Sequence, residues 1–289
     1  ENLGKSDLCV SKVCLGTMQF GEGLSMEEGY AQMNYAYERG VNFFDSAEMY
    51  PVPQNEKSHG RSEACLGRWM KNSGHPRDRI HVATKVTGPS GQMTWIRNGP
   101  PVLDAAAITA AAEDSLLRLD TDYIDLLQLH WPDRYVPMFG DVDFDSTCDY
   151  GAAIPIEEQL EALSTLVAQG KVREVGLSNE TPWGLMRFCQ LAASGSLPRV
   201  ASIQNAYHLL NRTFDSTLAE VCHREDVSLL AYSPLAMGHL TGKYLDNAGG
   251  PANARLNVYK GQYAEIESRY SFERPNLMSA VKEYMAAAT

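Results

Sequence analysis

The sequence of 289 residues predicts an α/β protein of the (β/α)8 TIM-barrel class, incomplete at its C-terminus, with about seven strands legible. Three observations carry that reading. Short apolar runs of strand character alternate with stretches of helical periodicity, a rhythm that yields a parallel sheet covered by helices. The segment Gly16-Thr17-Met18-Gln19-Phe20-Gly21 lacks the glycine spacing that an open, doubly wound dinucleotide-binding sheet shows after its first strand. Asp45, Lys85 and His130 each end a predicted strand, so they share the C-terminal rim where parallel α/β folds bind ligands.

The elements follow in order. Val13–Gly16 is the first predicted strand, and a helix pattern from Met26 to Glu38 stops at Gly40. The strand Asn42–Asp45 precedes a helix near Arg61–Met70; the strand His81–Lys85 leads through a Gly/Pro-rich loop to an alanine-rich helix, Asp104–Leu119. After the strand Ile124–His130 comes a long irregular loop, then a helix from Pro155 to Gln169 ended by Gly170. Val172–Ser178 is a strand, and Thr181-Pro182 pairs a good N-cap with a first-turn proline. Ser202–Ala206, a helix around Ser216–Arg224 and the strand Val227–Ser233 complete the series, with a last helix beginning in Pro275–Ala288. Seven strands leave two edges with unpaired amides, so the sequence is expected to be one barrel domain over 1–289 whose eighth strand and final helices are absent, with a partner or second copy covering the gap.

With 44% hydrophobic and 21% charged residues, the composition is that of an ordinary globular protein, and no stretch approaches the ~20 apolar residues of a membrane helix. Net charge is 25 − 36 = −11, which argues against nucleic acid or an anionic membrane as the main partner. The six cysteines contain no CxxC pair, and Cys14, Cys65 and Cys189 lie in apolar segments. They read as reduced thiols, which favours a reducing compartment, the cytoplasm or an organelle such as a plastid. The N-terminus has neither signal-peptide nor transit-peptide character.

Asp45, Tyr50, Lys85 and His130 together form a proton-donating constellation, an acid, a phenol, an amine and an imidazole on one rim. Each alone has a plainer reading: a strand-end Asp as a cap, a lone His as a structural residue. The loop 133–153 carries Asp141, Asp143, Asp145 and Asp149 with Tyr135, Phe139 and Tyr150. No calcium-loop spacing is present, so these acids read as a solvated surface and no metal site is expected. A long loop at this rim is a natural pocket wall.

Beyond these patterns, the chain resembles the aldo-keto reductase superfamily, most closely its Tas-type branch, which is related to the β subunits of voltage-gated potassium channels. The resemblance rests on Leu15-Gly16-Thr17-Met18, on Gly40 through Tyr50, on Ala83-Thr84-Lys85-Val86 and on Leu129-His130-Trp131-Pro132. It continues through Gly176-Leu177-Ser178-Asn179-Glu180, Ile203-Gln204-Asn205 and Ala231-Tyr232-Ser233-Pro234-Leu235, in family order, to about Tyr244.

That resemblance implies NADPH-dependent reduction of an aldehyde or ketone, with NADP(H) as cofactor and a small carbonyl compound as substrate. Tyr50 would donate the proton; a phenol with a free pKa near 10 is a poor acid at neutral pH, and Lys85, held by Asp45, favours its ionised form. His130 would orient the carbonyl oxygen. Ser178, Asn179 and Gln204 would clamp the nicotinamide carboxamide, and Tyr232 would stack on its face. Gly16, Thr17 and Met18 border the same site. Ser233, Pro234 and Leu235, then Gly238, Leu240, Gly242 and Lys243, would cover the pyrophosphate. Arg255 is the nearest basic candidate for the adenosine phosphate, whose usual binding segment in the family would follow Thr289. Trp131 and Trp95, with Arg97, are expected to shape the substrate pocket. Two other readings stay open: an NADP-binding regulatory subunit with little turnover, and a non-redox barrel enzyme that leaves Ser178, Asn179, Gln204 and Tyr232 unexplained.

Overall fold

The computed structural model describes residues 1–148, 153–246 and 249–288. Its centre is a sheet of seven strands among the described residues, hydrogen-bonded in sequence order: β1 (Cys14–Gly16), β2 (Phe43–Asp45), β3 (His81–Val86), β4 (Ile124–Leu129), β5 (Val172–Ser178), β6 (Val200–Ala206) and β7 (Ser228–Tyr232). Every neighbouring pair is parallel. The sheet curls into a nearly closed α/β barrel whose two edges are β1 and β7. Val13, beside one edge, is exposed, and Leu229, Leu230 and Ala231 on the other are not fully covered.

The helices are α1 (Met26–Glu38), α2 (Arg61–Ser73), α3 (Ala105–Leu119), α4 (Ile156–Ala168), α5 (Pro182–Ala192), α6 (Thr213–Thr217), α7 (Ala219–Glu225), α8 (Arg255–Val258), α9 (Ala264–Arg269) and α10 (Leu277–Ala287). Their ends have local causes. Ser25 and Glu28 close a reciprocal capping box on α1. Asp104 caps α3 through the Ala107 amide, and Thr181 caps α5 through that of Gly184, with Pro182 in the first turn. The helix expected around Ser216–Arg224 begins earlier, where the Asn211 carboxamide accepts from the Thr213 amide, and is broken in two at Leu218, a buried residue.

Strands β2, β3 and β4 are buried along their whole length, which suits a sheet covered on one face by helices and filled on the other. The main core lies between sheet and helices, with Phe44, Val82, Leu127, Leu163 and Ile203 among its fully buried members. A smaller cluster fills the N-terminal end of the barrel: Phe43, Ala83, Leu126 and Ala201 meet Leu3, Leu8 and Val10 of the opening segment. That segment is fastened by an Asn2–Cys9 antiparallel bridge and by the Gly4 amide, which donates to the Ser228 hydroxyl at 2.8 Å. The N-terminal end is therefore plugged, and the C-terminal rim is left for chemistry. All six cysteines are free, three of them buried.

Helices α2 and α3 cross closely because Gly67 has no side chain: a Cβ there would sit 2.5 Å from the Leu119 carbonyl oxygen and 2.8 Å from that of Arg118. Helix propensity alone would favour alanine over glycine by about 1 kcal/mol. Against that, the opposing atoms are backbone and yield only if the helices separate. Gly67→Ala is therefore expected to destabilise the fold by about 1–3 kcal/mol, read as a lower urea midpoint at unchanged m-value. An equal or higher midpoint would mean that α3 moves freely.

Candidate active site

Asp45 closes β2 and Lys85 lies on β3, both facing into the barrel just above its apolar plug. The Lys85 ammonium donates to Asp45 Oδ2 at 2.5 Å and to the Ser46 carbonyl at 2.6 Å. Its side chain is almost wholly buried, so desolvation works against the charge; Asp45 and Tyr50 outweigh it, and the lysine pKa is raised. Tyr50 stands five residues beyond Asp45, with its amide on the Ala47 carbonyl at 3.0 Å and its ring centre 4.9 Å from Lys85 Nζ. Burial raises the phenol's pKa; Lys85 pulls the other way but does not prevail, so Tyr50 is held protonated.

His130 follows β4, its amide donating to the Val86 carbonyl at 2.9 Å. Its ring meets that of Tyr50 edge-on at 5.6 Å. Burial, then the Lys85 charge, holds its pKa well below the ordinary histidine value, so the imidazole is neutral; its Nδ1 is buried with no hydrogen-bond partner among the described residues. The four side chains, carried by β2 and the loop after it, by β3 and by the end of β4, therefore converge. A protonated phenol, a neutral imidazole and an ammonium beneath them can deliver a proton and stabilise the charge left behind.

The cleft above them has a volume of about 1450 Å³ and runs into the gap between β1 and β7. Gly16, Met18, Ser178, Asn179, Gln204, Tyr232, Ser233, Pro234 and Arg255 line it with Asp45, Tyr50, His130 and Trp131. Trp131 seats on Gly88, where a Cβ would lie 2.6 Å from its ring, and donates to the Pro89 carbonyl at 2.8 Å. Phe139 packs edge-on against it at 5.7 Å, so the long loop does supply pocket wall. Of that loop's other members, Asp149 and Tyr150 lie outside the described residues.

Several expected residues sit elsewhere. Trp95 does not line the cleft; Met93 of the same loop does, while Trp95 packs against the apolar cluster that holds Ile96 together with Tyr50 and Trp131. The cause is Arg97, at φ 52°, which pairs with buried Glu48 and donates to the Thr87 carbonyl at 3.2 Å, turning the loop inward. Thr17 faces away from the cleft, its hydroxyl on the Asp45 carbonyl at 3.0 Å and on Ser62 at 2.6 Å. Of the segment expected over the pyrophosphate, Ser233 and Pro234 face the cleft, joined by Met237, which lies between its two parts. Leu235 is exposed and Leu240 packs against the apolar cluster. The Lys243 stem covers Gly238, and Met285 covers Gly242, so these four and Lys243 stand off the cleft.

The amide groups are more committed than the sequence suggests. Ser178 Oγ donates to the Gln204 carbonyl at 2.8 Å. Asn179, at φ 52°, donates to the His130 carbonyl at 2.9 Å and to Ser178 Oγ at 3.1 Å, and accepts from the Tyr232 hydroxyl at 2.7 Å. Sequence reasoning missed Gln128, and also Arg269, Tyr263 and Tyr270 of the C-terminal segment. Arg269 donates to the Tyr232 hydroxyl at 2.7 Å and pairs with Glu265. Arg255 has no carboxylate partner among the described residues, and its Nη2 is buried and unsatisfied; burial lowers its pKa. No motif marks these positions: the partners that tie Gln128 and Arg269 to the site, Asp45 and Tyr232, are distant in sequence.

A model of the family described as "Aldo/keto reductase family" matches residues 12–281. The chain belongs to that family. It is 45% identical over 254 residues to Protein tas of Escherichia coli (strain K12), covering 88% of this chain and 72% of that protein. Similarity to the uncharacterized oxidoreductase YrpG of Bacillus subtilis (strain 168) is 32% over 266 residues, 92% of this chain and 75% of YrpG. The solved glycerol dehydrogenase of Gluconobacter oxydans superposes with a TM-score of 0.70 at 26% identity, covering 100% of this chain and 77% of that one. As a member of this family the chain is an oxidoreductase of the carbonyl-reducing kind with an α/β-barrel fold, and no helix among its described residues is long and apolar enough to cross a membrane.

A buried and a half-buried histidine, His130 and His208, give the fold a pH dependence. His208 is lowered to about 4 from 6.5 by burial, Arg269 and His239, and His130 is lowered by burial and Lys85. Below about 6.5 the unfolded chain binds protons that the folded one refuses, so stability is full above that pH and is lost as pH falls, for His208 through about 4. Melting temperature should therefore fall on acidification, and less steeply in His208→Gln and His130→Gln. Identical slopes in wild type and both variants would contradict the lowered pKa values of the two imidazoles.

Proposed function

We propose that the chain reduces an aldehyde or ketone with NADPH, Tyr50 supplying the proton. The observation that carries this reading is the protonated Tyr50 phenol set between the buried Lys85 ammonium and the neutral His130 imidazole at the mouth of the cleft. The dinucleotide fits the residues present. The unsatisfied Arg255 guanidinium calls for an anion such as a phosphate. Gln204, whose amino group is committed to Asp45, keeps its oxygen for a carboxamide N–H, and Tyr232 offers a ring. When bound, the nicotinamide supplies the hydride. His130 holds the substrate oxygen beside Tyr50, which gives up its proton, and the phenolate so formed is stabilised by Lys85. Asp45 keeps the lysine charged and in place. The aromatic and methionine wall of Trp131, Phe139, Met49 and Met93 suits an apolar carbonyl compound and keeps water from the transferred proton.

Tyr50→Phe should lower carbonyl reduction by about 10²–10⁴-fold, measured with a reactive aldehyde such as 4-nitrobenzaldehyde, while NADPH binding by titration calorimetry stays near wild type. Wild-type turnover in that variant would place the proton source elsewhere. Lys85→Met should depress kcat and move the basic limb of the pH–rate profile upward, because the phenol loses the charge that favours its ionised form. An unchanged profile would reduce Lys85 to a structural partner of Asp45. NADPH binding without turnover in wild type would favour the regulatory reading.

A further inference from the structure

We propose that Gln128 is a positioning residue of this site, its carboxamide fixing both the second oxygen of Asp45 and the orientation of the Gln204 amide. The inference rests on the catalytic reading above. Gln128 is fully buried on β4, in register with Lys85 on β3 and Gly176 on β5, below the cleft floor. Its Nε2 donates to Asp45 Oδ1 at 3.0 Å. Gln204 Nε2 donates to the same oxygen at 2.9 Å and to Gln128 Oε1 at 3.3 Å. The three side chains close a ring with one consistent arrangement. An ionised carboxylate only accepts, so both amides must turn N–H groups to it. Gln128 then faces its oxygen toward Gln204, and the Gln204 oxygen is the polar atom left for a ligand's amide. Asp45 Oδ2 is left for Lys85.

The barrel makes room for this reach. Gly176 lacks the side chain that would otherwise fill the space: a Cβ there would lie 3.1 Å from Gln128 Cγ and 2.9 Å from Ser202 Oγ. A leucine would fill the volume of Gln128 equally well, and an all-apolar layer would continue the plug formed by Leu126 and Ala83. The amide is therefore placed for what it bonds. The titratable groups around it are Asp45 from β2, Lys85 from β3, Cys14 from β1, and Tyr50 and His130 at the rim; its neighbours on β5 and β6, Gly176, Ser178, Ser202 and Gln204, carry no charge, and the half-buried Glu174 of β5 lies in register with Leu126, two residues further from the rim.

Two variants of the full chain decide the matter. Gln128→Leu keeps volume and removes both bonds; kcat should drop about tenfold or more, as for a misplaced reacting group, and NADPH affinity in a fluorescence titration should fall several-fold as the Gln204 amide loses its Gln128 acceptor and is held by Asp45 alone, with the shape of the pH profile unchanged. Gln128→Glu keeps the acceptor for Gln204 but sets a second carboxylate against Asp45. The pair shares a proton at low pH and repels once it leaves, so the introduced carboxyl group would titrate above the ordinary carboxylate range in the folded state. The stability of this variant relative to wild type should be highest at low pH and be lost as pH rises through that raised value, and kcat relative to wild type should fall with it. A purely structural glutamine predicts the stability slope, which follows from the proximity of the two carboxyl groups alone, without the fall in kcat. Gln128→Glu with a kcat that tracks wild type at every pH would overturn the proposal. So would Gln128→Leu with wild-type kcat and affinity. Absence of turnover in wild type would defeat the catalytic reading instead, and the NADPH titration of Gln128→Leu would still decide Gln128.

Discussion

The buried pair of Lys85 and Asp45 is the constraint around which the upper barrel is arranged. An ammonium with almost no exposure loses its hydration, and such a pair is often no more stabilising than a well-packed apolar layer. Once the pair is buried, every remaining lone pair and proton must be met. The Ser46 carbonyl takes one lysine proton, and the amides of Gln128 and Gln204 take the second carboxylate oxygen. Removing any one partner would leave a charge half-solvated in a low-dielectric interior.

Polarity along the inside of the barrel changes over a single strand period. Inward positions alternate, so Phe43 gives way to Asp45, Ala83 to Lys85, and Leu126 to Gln128, each two residues toward the rim. An apolar plug and a charged layer therefore lie about 7 Å apart on the same strands. The plug gives the strand bottoms a fixed register, and the parallel pairing carries that register to the rim without flexible linkers. The proposed proton donor, Tyr50, sits on a loop, but its loop is tied at both sides: the Val52 amide bonds the Met18 carbonyl at 3.1 Å, and the Glu48 carboxylate accepts from the Thr87 amide at 2.5 Å.

Where local chemistry decides structure, the sequence was an accurate guide. The strand Val172–Ser178, the helix Met26–Glu38 and the Thr181-Pro182 start were legible because periodicity and caps are encoded within a few residues. The convergence of Asp45, Lys85 and His130 was legible because a polar residue at the end of an apolar run is conspicuous, and Tyr50 followed as the phenol in the loop after the first of those runs. Gln128 was not, since one amide inside an apolar strand resembles a tolerated polar substitution; its role depends on Gly176, 48 positions on, and Gln204, 76 positions on. Trp95 was misplaced because the pairing of Arg97 with Glu48, a contact across 49 residues, decides which face of its loop meets the cleft. Of the arginines in the C-terminal segment, Arg255 stood out only as the nearest basic residue, and Arg269 carries no motif at all.

Those two arginines differ in a way that bears on what the cleft attracts. Arg269 is neutralised by Glu265 and spends a further donor on Tyr232, so its charge is largely cancelled and it braces the aromatic wall. Arg255 has no such partner among the described residues, and burial makes its charge costly without one. The protein as a whole carries −11, a field that repels an anionic ligand at distance. An unpaired guanidinium at the cleft wall reverses that sign locally, within roughly a Debye length of ~8 Å, and the low-dielectric walls sharpen it. Arg255 also favours the Tyr50 phenolate, so an anion bound to it would remove part of that influence and raise the phenol further. Occupancy of the anion subsite and the acidity of the proposed donor are thereby linked: a bound anion keeps Tyr50 protonated, the form that reduction requires.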